Sequence, residues 1–241
     1  MFKGFQKIGL GDTMFAGVPS IFNKQAKMNT GGIILWLKAD IGVTLNGSTV
    51  SVWTDQSGNN NNAIQSNPSN QPLLVTGALN GLPVLRFDGL NDFMDFPDII
   101  TNKISFFCVF KKTSGTIGVL LCASTSPGTP SQTIENYTDG ASYIVNHVGT
   151  NVSAPTGQIN SYGVLTIVYA NPNSEFFVNG ISKGGTSNAM SITFNRIGFR
   201  THQGWYLSGD IAEIILYDFA LSNNERQNVE YYLLNKYAIA I

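Results

Sequence analysis

Conventional catalytic side chains are scarce in this chain of 241 residues, which holds two histidines, two cysteines and fifteen acids. His147 and His202 lie far apart, and neither belongs to an H-E-x-x-H motif or a Cys/His cluster, so zinc hydrolysis has no ligand set. No G-x-S-x-G elbow and no G-x-x-x-x-G-K-[ST] loop occurs, which sets aside a serine hydrolase and a nucleotide enzyme. A retaining pair of carboxylates must sit about 5 Å apart. Asp210 and Glu213 are close in sequence, but a spacing of three puts them on opposite faces of a regular strand. The expectation is a chain that is not an enzyme.

Binding chemistry is better represented. The segment RTHQGWY gathers Arg200, His202, Trp205 and Tyr206 in one polar loop with two aromatics. Sugar rings stack their C–H faces on Trp or Tyr, and their hydroxyls bond to Arg, His, Asn and Asp, so this mixture suits a glycan. The competing reading is that Trp205 and Tyr206 merely cover an edge of the core. Asn60 and Asn61, in the run WTDQSGNNNNA, are further glycan candidates. A second cluster, RFDGLND, offers oxygen ligands at Asp88, Asn91 and Asp92, with Asp95 and Asp98 nearby. Calcium there is the one cofactor the residues suggest, against the alternative of a turn held by its own acids.

These residues must be held by strands. Short apolar runs such as IILWLK, TVSVW, LPVLRF, ISFFCVF, GVLTIVYA and DIAEIILYD are punctuated by Gly, Asn, Pro and Asp, and only 12% of residues are charged. That pattern predicts an all-β fold, an antiparallel two-sheet β-sandwich of jelly-roll type. Asn179-Gly180 predicts a tight hairpin, since a type I′ turn needs positive φ at both central residues. One helix is expected at about 223–237, opened by a capping box between Ser222 and Glu225, with Val229, Tyr232 and Leu233 on its apolar face and Lys236 near its C-terminal end. If ISFFCVF and IGVLLCA form a hairpin centred on Gly115, Cys108 and Cys122 fall opposite each other and a disulfide is geometrically open to them; the alternative is two buried thiols.

Residues 1–31 differ from the rest. They lack a clean period, mix Phe2, Phe5, Phe15 and Phe22 with glycines, and carry four lysines against Asp12, whereas the remainder has ten basic and fourteen acidic residues. This reads as an N-terminal docking arm for a larger protein assembly, followed by one domain over 32–241. No arginine cluster or basic-aromatic platform speaks for nucleic acid. No apolar run reaches the roughly 18 residues of a membrane helix, and Gln6, Lys7 and Asp12 interrupt any secretory h-region.

Taken in order, LWLKAD, VSVWTDQSGNNNNA, NGLPVLRFDGLNDFM, FFVNG and GDIAEIILYDFALSNNERQNVEYYLLNKY resemble the LamG-like branch of the concanavalin A-like lectin/glucanase superfamily, over Ile33 to Tyr237. The resemblance implies a concanavalin A-like jelly roll. It implies that the D-x-S-G-N-x-N-A stretch is a structured turn, matched here by Asp55, Ser57 and Gly58, with Asp55 and Asn59 folding onto nearby amides. It makes Glu213 a structural residue. Hydrolytic relatives carry an E-x-D-x-x-E strand that this chain lacks. Domains of this kind occur in bacterial surface and tailed-phage virion proteins. The implied setting is therefore a virion or extracellular surface, with cell-surface glycans as partners and display in many copies.

Overall fold

The computed structural model describes residues 27–113, 117–123, 133–137, 142–147, 150–155, 161–187, 192–200 and 204–241. Their strands make one continuous antiparallel sheet of seventeen, folded over into two layers, and a separate two-stranded piece. In the first layer Ser208–Tyr217 runs beside Lys103–Lys112, which is followed by Gly163–Ala170, Asn173–Val178 and Ile181–Ser187. Its other side is shared, since Leu82–Asp88 pairs with its first half and Ile33–Lys38 with its second. In the second layer Thr49–Trp53, Ala63–Ile64, Met94–Thr101, Ile192–Ile197, Ile117–Cys122 and Thr133–Tyr137 pair in that order. Leu73–Leu79 joins the layers, bonding along Leu82–Asp88 and touching Thr49 through Leu73. The all-β sandwich expected from the turn-punctuated runs is what the chain forms.

The run ISFFCVF shows why periodicity fails locally. Phe106, Cys108 and Phe110 point between the layers, beside Trp53, Phe87 and Ile214. Phe107 and Val109 point the other way, under the helix Asn223–Lys236, against Val229, Leu233, Leu234 and Tyr237. A strand buried on both faces has no reason to alternate. Ser105 closes its end, with its hydroxyl donating to the Phe219 carbonyl at 3.0 Å and accepting from the Leu221 amide at 2.8 Å, which leads the chain into the helix. The helix opens on the expected capping box, Ser222 and Glu225 each satisfying the other's backbone amide. Asn179 and Gly180 both have positive φ, and Asn179 spans two elements, accepting from Val164 N and donating to the Ala240 carbonyl.

The hairpin expected to join the cysteines does not form. Lys103–Lys112 pairs with Gly163–Ala170 and Ser208–Tyr217 in the first layer, while Ile117–Cys122 lies in the second. Consecutive apolar strands here cross between layers instead of pairing. Cys108 and Cys122 are separate, buried thiols with no disulfide between them, and the Cys122 thiol donates to the Phe199 carbonyl at 2.8 Å.

Candidate functional site

The asparagine run is a riveted turn. Asp55 accepts through Oδ1 from the amides of Trp36 and Ser57, both at 2.9 Å, and through Oδ2 from the Ser57 hydroxyl at 2.7 Å and the Asn61 amide at 3.0 Å. Asn62 Oδ1 accepts from Asp55 N, and the side chains of Asn59 and Asn61 donate to the carbonyls of Ile33 and Ile34. Asn60 is exposed, at φ 60°. The turn thus fastens the start of the first strand, and the Asn61 amide is committed to that task.

The RFDGLND turn is likewise held by its own acids. Asp88 Oδ1 accepts from the amides of Leu90 at 2.8 Å and Asn91 at 3.1 Å, and Asp92 Oδ2 accepts from Asp88 N at 2.9 Å. Burial pushes the Asp92 carboxyl up to about 6. Among the described residues no three His, Cys, Asp or Glu side chains gather as a metal site, and the Asp88 and Asp92 oxygens named here are engaged by the turn's own amides. The turn abuts Gly198: a Cβ there would lie 2.7 Å from the Phe87 ring and 3.2 Å from the Asp92 carbonyl, and φ is +87°.

That close approach brings the turn beside the hairpin of Phe199–Arg200 and Trp205–Tyr206. The Phe199 and Tyr206 rings stack in parallel with centroids 4.0 Å apart, and Phe93, next to Asp92, tilts against Phe199 at 5.6 Å. The Arg196 guanidinium lies over Phe93 at 4.4 Å and Phe199 at 5.4 Å, and is fixed by a two-pronged pair to Asp95 at 2.6 and 2.9 Å. The buried Arg200 lies under the Trp205 ring at 5.2 Å. Phe93, Arg196, Phe199, Trp205 and Tyr206 are all partly exposed, so together they form an aromatic strip interleaved with guanidinium groups. The structure brings Arg200, Trp205 and Tyr206 to the Asp88–Asp92 turn. Asn61 bonds elsewhere, to the first strand, and Asn60 stands exposed in that same turn. His202, and the arm residues Phe2, Phe5, Phe15 and Phe22, lie outside the described residues. Sequence reasoning missed Phe93 and Arg196, and offered Asp95 only as an oxygen near the turn, because Asp95 and Arg196 meet only through strand register, and that register shifts between Phe194 and Arg196.

The two acids of the last strand are corrected as well. A β-bulge between Ile211 and Glu213 inserts a residue: Ile211 and Ile214 both face the core, while Ala212 and Ile215 face the helix side. Asp210 and Glu213 consequently share the outer face, and both are fully buried. Asp210 takes Arg86 at 2.7 and 3.0 Å, Tyr162 Oη at 2.6 Å and Lys111 at 3.2 Å. Burial works to raise its pKa, and the bonds from Arg86 and Tyr162 outweigh that, leaving it below the usual carboxylate range. Glu213 Oε1 accepts from Trp36 Nε1 at 2.6 Å and Tyr232 Oη at 3.0 Å, and Oε2 from Lys236 Nζ and Tyr237 Oη, both at 2.8 Å.

No protein-family model matches the chain, the LamG-like family included, and no curated protein matches it in sequence. Solved structures do share its fold. Trypanosoma rangeli sialidase in complex with 2,3-difluorosialic acid, a covalent intermediate, aligns with a TM-score of 0.65 at 14% identity, over 91% of this chain and 36% of that one. Domain 4 of AbnA, a GH43 extracellular arabinanase from Geobacillus stearothermophilus, in complex with arabinotriose, aligns at 0.58 and 15% identity, over 82% of this chain and 98% of that domain. The binding domain of Paraclostridial Mosquitocidal Protein 1 aligns at 0.56 and 14% identity, over 86% and 53%. The chain spans about a third of the length of the sialidases it resembles.

This overturns the expectation that the chain is not an enzyme. That expectation rested on a missing carboxylate pattern and on two acids held apart by alternation. The fold occurs within a sialidase chain, and the bulge sets both acids on one face. No helix among the described residues is long and apolar enough to cross a membrane.

Proposed function

We propose that the chain is a carbohydrate-binding β-sandwich of the LamG-like kind, reading saccharides with the strip formed by Phe93, Arg196, Phe199, Arg200, Trp205 and Tyr206. The observation that carries this reading is the interleaving of two guanidinium groups with four partly exposed rings, beside a rigid turn. Rings take the apolar faces of a sugar, the partly exposed Arg196 guanidinium lies where hydroxyls approach, and the buried Arg200 supports the Trp205 ring. The strip is fixed before any ligand arrives, because Asp95 pins Arg196 and Phe199 backs Tyr206. The arabinanase domain solved with arabinotriose, nearly all of which aligns with this chain, supports the same reading.

One aromatic contact contributes about 1 kcal/mol beyond area burial, so a single site binds weakly, roughly in the micromolar to millimolar range. Display in many copies converts such sites into useful avidity. Residues 1–31 would serve as the arm mounting the domain of residues 32–241 on a larger assembly such as a virion or cell surface. The test is a glycan array probed with a clustered form of the full chain, beside Trp205→Ala and Tyr206→Ala variants of confirmed fold. Binding by the clustered protein that falls in both variants is expected. No binding, or binding unchanged in both variants, refutes the assignment.

A further inference from the structure

The helix-covered side carries a second concave surface, away from the hairpin. Between residues 27–30 and the outer side of the helix lies an open groove of ≈ 670 Å³, lined by Trp36, Tyr231, Tyr232 and Asn228, with Lys27 at its rim. The Trp36 and Tyr232 rings meet edge to face at 6.4 Å, and both are held from beneath by the same Glu213 carboxylate, so the aromatic lining is preorganised. Lys38 Nζ sits 4.0 Å from the Trp36 ring centroid.

Charge decides what such a surface takes. Lys236 is neutralised by Asp40 at 3.1 Å and Glu213 at 2.8 Å. Among the described residues Lys27 and Lys38 have no carboxylate partner, and the side chains of Thr30 and Asn228 make no hydrogen bond. One uncompensated cation, Lys27, two uncommitted polar groups and three aromatic side chains line one groove, and a second cation, Lys38, sits over the ring of Trp36.

We propose that this groove is a second saccharide site, selective for acidic sugars: ring faces pack on Trp36 and Tyr231, hydroxyls bond to Asn228 and Thr30, and a carboxylate is drawn by Lys27 and Lys38. The site is independent of the hairpin strip and does not rest on it.

The chain has three tryptophans, and their indole N–H resonances separate the possibilities in one spectrum. Trp36 reports the groove, Trp205 the hairpin, and the fully buried Trp53 serves as control. The ¹⁵N-labelled full chain is titrated with trigalacturonate and, separately, with neutral arabinotriose. Trigalacturonate is expected to shift the Trp36 resonance saturably and leave Trp53 still. Tyr231→Ala is expected to weaken the effect about five-fold. Lys27→Ala, an exposed change that leaves the packing alone, should weaken it about two- to five-fold at low salt. Four results overturn the proposal: a Trp36 resonance that stays put up to roughly 20 mM ligand, an equal response to arabinotriose, a titration unmoved by both variants, or nuclear Overhauser contacts in the ligand-free chain placing residues 1–26 in the groove. A shift of Trp205 alone would support the hairpin site while overturning this one.

Discussion

Replacing Glu213 by glutamine changes one atom and removes one charge, and the surroundings of that carboxylate set the cost. Four donors converge on it, two on each oxygen, and burial pushes the Tyr232 and Tyr237 hydroxyls up, so both remain donors. A glutamine offers one acceptor oxygen. Trp36 Nε1–H can only donate, so the amide oxygen must face Trp36 and Tyr232, which turns the –NH₂ toward Tyr237 and Lys236. The tyrosine hydroxyl can rotate and accept; the ammonium cannot. The variant therefore loses a charge-assisted bond worth about 1.5–3 kcal/mol and sets a donor against a buried donor at about 1–3 kcal/mol. A total of about 3–5 kcal/mol matches the cost of breaking other buried pairs. For a chain of this size that lowers Tm by roughly 6–20 °C. Lys236→Met should cost less, because Glu213 keeps three neutral donors. In Glu213→Gln/Lys236→Met the donor conflict is gone, so the double variant should be more stable than the sum of the singles predicts by about 1–3 kcal/mol. Urea unfolding of all four proteins measures this. A Glu213→Gln variant within 1 kcal/mol of wild type, or strictly additive singles, would show that the carboxylate does not organise its surroundings as described.

Two further outcomes rest on other buried acids. Asp92 has its carboxyl raised from an ordinary 3.8 to about 6, so the folded state binds its proton more tightly than the unfolded state and stability falls as pH rises through that window. Asn at position 92 retains the acceptor for Asp88 N; Asp92→Asn should thus match wild type near pH 4 and exceed it by up to about 3 kcal/mol at pH 7, whereas a pH-independent difference in urea stability would refute the assignment. Glu230, fully buried, pairs with Arg226, whose guanidinium lies 3.7 Å from the Phe177 ring centroid. Glu230→Ala alone should cost about 3–5 kcal/mol by stranding that cation, while Arg226→Met/Glu230→Leu should fall within about 1 kcal/mol of wild type; equal losses in the two, read by thermal unfolding, would count against it.

Local chemistry was legible in the sequence wherever a few adjacent residues decide the structure. Ser222 and Glu225 announce the helix, Asn179-Gly180 the hairpin, and Asp55 to Asn62 a turn held by its own side chains, because each device closes within a handful of positions. Strand existence was legible for the same reason. Layer membership was not: ISFFCVF and IGVLLCA are apolar on nearly every residue, so neither shows a face, and their nearness in sequence suggested a pairing the fold does not make. Of the proposed site, Trp205, Tyr206 and Arg200 announced themselves by type. Arg196 and Asp95 did not, being 101 positions apart and joined only by register. The bulge at Ala212 was likewise invisible, since an inserted residue leaves the composition of a strand unchanged and alters only its phase.

That bulge stands where the last strand changes partners, with Leu82–Asp88 beside Ser208 to Ile211 and Ile33–Lys38 beside Glu213 to Tyr217. Ala39 N crosses the join to the Ala212 carbonyl at 2.9 Å, so the seam is stitched and not frayed. Both ends of the excursion from Ala39 to Gly81 are thereby anchored on a single rail, one on each side of the same joint. The rail keeps both of its neighbours however long the exposed turns of the excursion become. Loop-closure entropy rises only slowly with length, so the exposed turns of this excursion can lengthen at little cost, whereas Val50, Trp53 and Ala63 reach back into the core and hold the strands between those turns in place.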